Sequence, residues 1–168
     1  MCLQTPYLMP EKSNRSANSS RRKITRVFLS TDKQAIAPEE LNQLFVQANF
    51  PVRAPDKLAL ALQHSPFCVI ARSIREKTLV GFVRATSDGV FNTTIWDLVV
   101  APSLPNGEAT KILLLTRLKR EVTKVIPNCA ISMLANPWDQ ELLRQMKFVE
   151  DKKGIRAMAL TAQLEALL

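Results

Sequence analysis

The chain has one histidine, one tyrosine, four glycines and three cysteines in 168 residues, and each scarcity removes a class of chemistry. A zinc centre has too few ligands, because His64 is the only imidazole and no C-x-x-C pair occurs. Cys2, Cys68 and Cys129 are odd in number and far apart, which argues against a disulfide framework and fits buried free thiols in a reducing compartment. A nucleophilic thiol would need a partner base, for which only His64 is available. No apolar run approaches the roughly 20 residues of a membrane-spanning helix, so no membrane partner is expected. No repeat with a period of about 20 to 50 residues is visible.

What is present describes a globular domain. The hydrophobic fraction is 46% and the mean hydropathy −0.02, and a chain of this length can bury a sizeable core. The net charge is +8, with a pI of about 9.8, which suggests affinity for cofactor phosphates, nucleic acid or an acidic partner. Part of the excess lies at Arg15, Arg21, Arg22 and Lys23, in a Ser/Asn/Arg/Lys-rich segment, 1–23, read as a disordered basic tail with a transit peptide as the alternative. The rest lies on a helix carrying Lys111, Arg117, Lys119, Arg120 and Lys124, whose plainest reading is a solvated face. Nucleic acid is not expected as a partner, since no base-stacking aromatics are interleaved with these charges.

From residue 24 onward the pattern alternates strands and helices. Residues 24–30 read as a strand. Residues 37–49 read as an amphipathic helix with Pro38 in its first turn and Leu41, Leu44, Phe45 and Ala48 on one stripe. Residues 56–63 form a second helix with Leu58, Ala59 and Leu62 inward, opened by Pro55 and stopped at His64-Ser65-Pro66. Strands follow at 67–73, 79–86 and 91–100, the last two joined by the turn Ser87-Asp88-Gly89. A helix from 108 or 109 to 125, a buried strand at 129–135 and a short helix ending at 146 come next. A hairpin of 147–151 with 155–160 and a terminal helix at 161–168 complete the order. An α+β domain over 24–168 follows, with helices on both faces of a mixed sheet.

The strand at 91–100 runs through a polar loop into a helix, and a helix entered this way presents free N–H groups and the positive end of its dipole to an anion. The residues around this junction resemble the acetyl-coenzyme A motif of the GNAT acetyltransferases. Val100-Ala101-Pro102 matches the end of that family's strand, and 103–111 occupies its phosphate loop. The closer resemblance, over about 25–160, is to small GNAT-like proteins of red-algal plastids and cyanobacteria, whose plant relatives acetylate amines and protein lysines. It is carried by Gly81-Phe82, Arg84-Ala85-Thr86-Ser87-Asp88, Phe91-Asn92 and Thr94-Ile95-Trp96-Asp97, and downstream by Phe148, Asp151, Gly154-Ile155-Arg156 and Met158.

The resemblance implies a GNAT fold with a central sheet of about six to seven strands. It implies an acyltransferase moving an acetyl group from acetyl-CoA, as co-substrate and without metal, to a primary amine on a small molecule, a protein lysine or an N-terminus. It is compatible with a homodimer and implies a cyanobacterial cytoplasm or a plastid stroma. Leu98, Val99 and Val100 would pair with the pantetheine arm, while Asn106, Gly107, Glu108, Ala109 and Thr110 would cradle the pyrophosphate and Asn136 contact the coenzyme. Asp97 would act as base, its pKa raised by half-burial beside Trp96, or else serve as a structural acceptor for backbone or Arg84. Lys111 would add a cation at the loop. Trp96 and Trp138 read as core or cleft-lining residues, and Arg84 and Asp88 as bare residues read as strand-edge charges.

The sequence departs from the family at several points. The phosphate loop keeps only Gly107, Pro105 removes a donor and Glu108 adds a negative charge. Leu143 stands where the family places a general-acid Tyr, and Lys147 where it places a glycine. These departures sustain a second reading, a catalytically impaired GNAT scaffold acting through protein contacts. A basic nucleic-acid-binding module ranks third.

Overall fold

A computed structural model describes residues 25–150. The expected tail at 1–23, the strand at 155–160 and the terminal helix at 161–168 lie outside the described residues. Five strands, β1 (Val27–Ser30), β2 (Phe67–Ser73), β3 (Leu79–Ser87), β4 (Asn92–Val100) and β5 (Ala130–Met133), form one sheet in that order. Neighbours pair antiparallel except β4 and β5, which are parallel. The helices are α1 (Pro38–Gln47), α2 (Pro55–Gln63), α3 (Gly107–Val125) and α4 (Gln140–Gln145), with 3₁₀ turns at Lys33–Ala35 and Pro137–Asp139. This is the mixed α+β architecture expected from the sequence, with five strands among the described residues in place of six to seven. Residues 147–150 form no strand, and the partner they were expected to pair with lies outside the described residues.

Local chemistry explains the element ends. Pro38 and Pro55 occupy the first position of α1 and α2, where a missing N–H costs nothing. The Asp88 carboxylate accepts the N–H groups of Asn92, Val90 and Phe91. Those bonds hold its pKa down to about 2 and make it the clasp of the β3–β4 turn rather than a bare strand-edge charge. Helix α4 ends with Phe148 N–H donating to Leu143 and Lys147 N–H to Arg144. Lys147 has φ 65°, so a lysine occupies the left-handed position that favours glycine.

Successive residues of a strand point to opposite faces. On β3, Phe82 meets Phe45 of α1 edge-on at 6.4 Å, while Gly81 faces α3 so closely that a Cβ there would lie 3.0 Å from Leu114 Cδ1 and 3.2 Å from Ala71 Cβ. Helices therefore cover both faces. Leu41, Leu44 and Phe45 bury the stripe of α1, and Leu114, Leu115, Leu118 and Val122 that of α3. β5 was expected to be a buried strand, yet Ala130 and Ser132 are exposed, because it forms one edge of the described sheet.

Gly81→Ala should push α3 off the sheet and lower stability by about 1–3 kcal/mol, read as a drop in the urea midpoint at constant m.

Candidate functional site

β4 parts from its two neighbours differently. Against β3 it pairs from Thr93 through Val100, whereas against β5 it pairs only from Asn92 to Ile95. Between these limits the register slips: Phe82 lies opposite Val99 and Arg84 opposite Trp96, so two steps on β3 face three on β4. The extra residue makes a β-bulge, and within it Asp97 has φ 55°, a left-handed conformation that a non-glycine residue adopts only when something holds it. Beyond Ile95 the outer edge of β4 has no strand partner among the described residues.

What holds Asp97 is a pair of guanidiniums. Arg53, on the loop between α1 and α2, donates from Nη1 to Oδ2 at 2.7 Å and from Nη2 to Oδ1 at 2.5 Å. Arg84 of β3 donates from Nε to Oδ2 at 2.5 Å and from Nη1 to Ser65 Oγ at 3.2 Å. Burial by itself would push the Asp97 carboxyl up, but the hydrogen bonds and charges of Arg53 and Arg84 together outweigh it and hold it below the usual carboxylate range. The pKa raised toward neutrality that sequence reasoning gave Asp97 is therefore corrected. It stands as an ion-pair acceptor for Arg84, as the second sequence reading had it, and for Arg53, which was not anticipated. Arg84 is a half-buried bridge rather than a strand-edge charge.

The parting of β4 from β5 leaves a cleft of two connected parts. A cavity of about 120 Å³ is lined by Ala48, Phe50, Leu98, Val99, Val100, Pro102, Lys111 and Trp138. A larger one, of about 380 Å³, continues past Ala101, Leu104, Gly107 and Glu108 to Asp139, Glu141 and Leu142. Val100, Pro102, Lys111 and Trp138 line both. The start of α3 opens into the larger part. There Gly107 N–H bonds Leu104 and Thr110 N–H bonds Asn106, while the N–H groups of Glu108 and Ala109 have no partner among the described residues. Those two donors and the helix dipole favour an anion. The side chains work against one, because Glu108 and Glu141 line the wall and Lys111 Nζ is committed to the buried Asp139 carboxylate at 2.5 Å. The other oxygen of Asp139, Oδ2, is buried without a partner among the described residues.

The sequence-derived site residues divide accordingly. Leu98, Val99 and Val100 line the smaller cavity, and Gly107 and Glu108 the larger. Thr110 does not face the cleft: its hydroxyl donates to the Asn106 carbonyl and its methyl packs toward Gly81. Asn106 holds the N-cap position of α3, but its amide donates to Thr25, 81 residues away in sequence, and its Oδ1 is buried without a partner among the described residues. Ala109 and Asn136 line neither cavity. Asn136 sits at the N-cap of the 137–139 turn without a side-chain cap bond. Leu143 is buried, and it is Leu142 that reaches the cleft.

Trp138 lines the cleft as expected, whereas Trp96 bonds Thr86 across the hairpin. Cys68 is buried, with burial pushing its thiol up to about 11, and His64 is exposed at the end of α2, so no thiol–imidazole pair forms between them. Sequence reasoning missed Arg53 and Asp139. Each acquires its meaning only from a partner, respectively 44 and 28 residues away in sequence.

No family model matches the chain. The chain is 34% identical over 120 residues to a chloroplastic GCN5-related N-acetyltransferase 1 from Arabidopsis thaliana, covering 71% of this chain and 60% of that protein. It is 33% identical over 134 residues to an uncharacterized N-acetyltransferase, ycf52, from Porphyra purpurea, covering 79% of this chain and 75% of that one. Among solved structures, a probable acetyltransferase from meticillin-resistant Staphylococcus aureus superposes with a TM-score of 0.71 at 19% identity, over 81% of this chain and 99% of that one, which shows the shared fold.

Asp97→Ala should cost about 3 kcal/mol, because it strands two half-buried guanidiniums. Since the folded-state pKa of Asp97 is lowered, its contribution is complete above the ordinary value near 3.8 and is lost as pH falls through the lowered one. Urea unfolding at several pH values should show the acid limb flattened in Asp97→Asn.

Proposed function

This chain belongs to the GNAT N-acetyltransferases of the plastid ycf52 type, and on that premise we propose that it binds acetyl-CoA in the cleft beside β4 and passes the acetyl group to a primary amine. The observation that carries this reading is the parting of β4 from β5 at a bulge, with an unpaired strand edge on one side of the gap and the start of a 19-residue helix on the other. The residues present fit a pantetheine arm. Leu98, Val99, Val100 and Pro102 offer an apolar wall, and the free β4 edge offers backbone groups to an added strand. The N–H groups of Glu108 and Ala109 would face the pyrophosphate. When bound, acetyl-CoA supplies the thioester whose carbonyl carbon bonds to the amine nitrogen as the carbon–sulfur bond breaks.

The chain's own residues would do the rest. The bulge, fixed by Arg53 and Arg84, sets the direction in which β4 offers its backbone to the thioester. Trp138, exposed at the mouth, would cover the arm and exclude water from the smaller cavity. With the Asp97 carboxylate tied to Arg53 and Arg84 and so a weak base, the amine would lose its proton to solvent. That predicts transfer that is slow and rises with pH until the amine itself is neutral.

A plastid compartment fits the chloroplastic name of the Arabidopsis relative. The Arabidopsis relative is longer, with 60% of its length matched, so acceptor and partners are proposed from this chain's own site. The second reading, a GNAT scaffold without transfer activity, draws on one observation. Glu108, Asp139 and Glu141 line the part of the cleft that phosphate would enter, against Lys111 alone.

Thermal shift with acetyl-CoA separates the two. A ligand bound only by the folded state raises the melting temperature by mass action, so a dose-dependent rise supports binding, and no shift at millimolar ligand favours the second reading. Glu108→Gly and Asp139→Asn should each tighten binding by about two- to fivefold, the first by removing a charge from the start of α3 and the second by releasing Lys111. Unchanged affinity in both would place the phosphates elsewhere.

A further inference from the structure

The chain carries a net charge of +8, yet the wall of the larger cavity is acidic. Glu108, Asp139 and Glu141 line it against Lys111 alone, and that lysine is spent on Asp139 Oδ1 at 2.5 Å. Glu108 has no ion-pair partner among the described residues, and Glu141 reaches only the exposed Arg144, at 3.5 Å. Asp139 is 1% exposed, and its Oδ2 is buried without a partner among the described residues, which costs stability until a donor meets it. No three His, Cys, Asp or Glu groups among the described residues could hold a metal ion. The carboxylates are spread along a wall rather than gathered at a point, which suits several cations spaced along a chain.

Such cations lie close by along the chain. Asn106, at the N-cap of α3, donates its amide to the Thr25 carbonyl at 3.1 Å, and the next two residues, Gly107 and Glu108, line the cavity. The chain therefore enters the described structure beside the acidic wall. Arg21, Arg22 and Lys23, outside the described residues, precede Thr25 by two to four positions, on the order of 7–14 Å of extended chain. A tether this short keeps the cations near the carboxylates at high effective concentration. Two of the three are guanidiniums, whose planar fork of donors matches the two oxygens of a carboxylate.

We propose that the acidic wall of the larger cavity is the docking surface for the chain's own basic segment, Arg21 to Lys23, which occupies in cis the place that a coenzyme pyrophosphate would enter. Glu108 and Glu141 take cations at the mouth, and a donor reaching past them meets Asp139 Oδ2. This docking goes beyond the acetyl-transfer reading and stands without it. A coenzyme binding in the cleft has to displace the segment, since the same wall cannot favour a cation and a phosphate together. The cleft is then open only in the fraction of molecules that the segment has left, and apparent affinity for the coenzyme is reduced by that fraction.

The test is zero-length carbodiimide coupling of the full chain, which joins an amine to a carboxylate in contact with it. The expected product is a link from Lys23 to Glu108 or Glu141 within one chain, found by peptide mass spectrometry in the monomer fraction. It should weaken at high salt and vanish when Glu108→Gln and Glu141→Gln are combined. No Lys23 link, a link to other carboxylates only, or one formed only between copies would overturn the proposal. Calorimetry with acetyl-CoA supplies the second arm. The triple substitution Arg21→Gln, Arg22→Gln and Lys23→Gln should bind acetyl-CoA at least about threefold more tightly, although it removes positive charge. Unchanged or weaker binding in that variant would overturn the segment as an occupant in cis. A Lys23 link with no coenzyme binding by either protein would leave the docking standing and sink the acetyl-CoA reading.

Discussion

The carboxylate of Asp97, gripped by Arg53 from one side and Arg84 from the other, is the interaction on which the rest of the site depends. A non-glycine residue with φ near +55° in the middle of a strand is strained, and its surroundings must over-determine it. Two guanidiniums from different segments do so. The bulge they stabilise adds one residue to β4 against β3 without adding one against β5. β4 pairs with β5 only as far as Ile95, before the bulge, and the strand beyond it, Leu98 to Val100, lines the cleft. Burial alone would push the carboxyl toward its neutral form, and the two arginines reverse that direction. The charge that might have served as a base is spent on shape.

The packing behind the site converts that local geometry into a rigid one. Phe45 joins three tasks: it fills the core against Phe82, supports Phe50 at the cavity wall and carries the Arg53 guanidinium on its ring. On the other face Gly81 lets α3 approach the sheet closely enough for Leu114 and Thr110 to touch it, which fixes where the start of α3 opens. The same helix start carries the features that most resist an anion. Its first turn bears Glu108, and its one cleft-facing lysine is tied to Asp139 across the gap. A pantetheine arm meets a favourable wall at the bulge end, while a pyrophosphate meets mixed charge at the helix end.

Much of the fold was legible because its signals are local. The turn residues Ser87-Asp88-Gly89, the prolines opening α1 and α2 and the leucine stripe of α3 each act within a few positions of themselves. Leu98, Val99 and Val100 were named through the resemblance to the GNAT family, and they line the smaller cavity. The ion pairs could not be read in this way. Arg53 looks like a loop charge and Asp139 like a turn residue until the fold brings them to Asp97 and Lys111, and the ionisation of Asp97 depends on partners 13 and 44 residues away. Thr110 was assigned to a phosphate loop, but Gly107 already begins the helix, and three residues later the side chain has turned to face the sheet. Lys147 was legible as a substitution for glycine, and its left-handed backbone shows the cost of that substitution.

The most direct test of the account is amide hydrogen exchange of the full chain with and without acetyl-CoA. The account predicts slower exchange along the free edge at 98–100 and at the opening of α3, 107–110, with the 87–92 turn unchanged. Protection confined to other segments, or none at saturating ligand, would contradict the claim that the Asp97 bulge builds a coenzyme cleft.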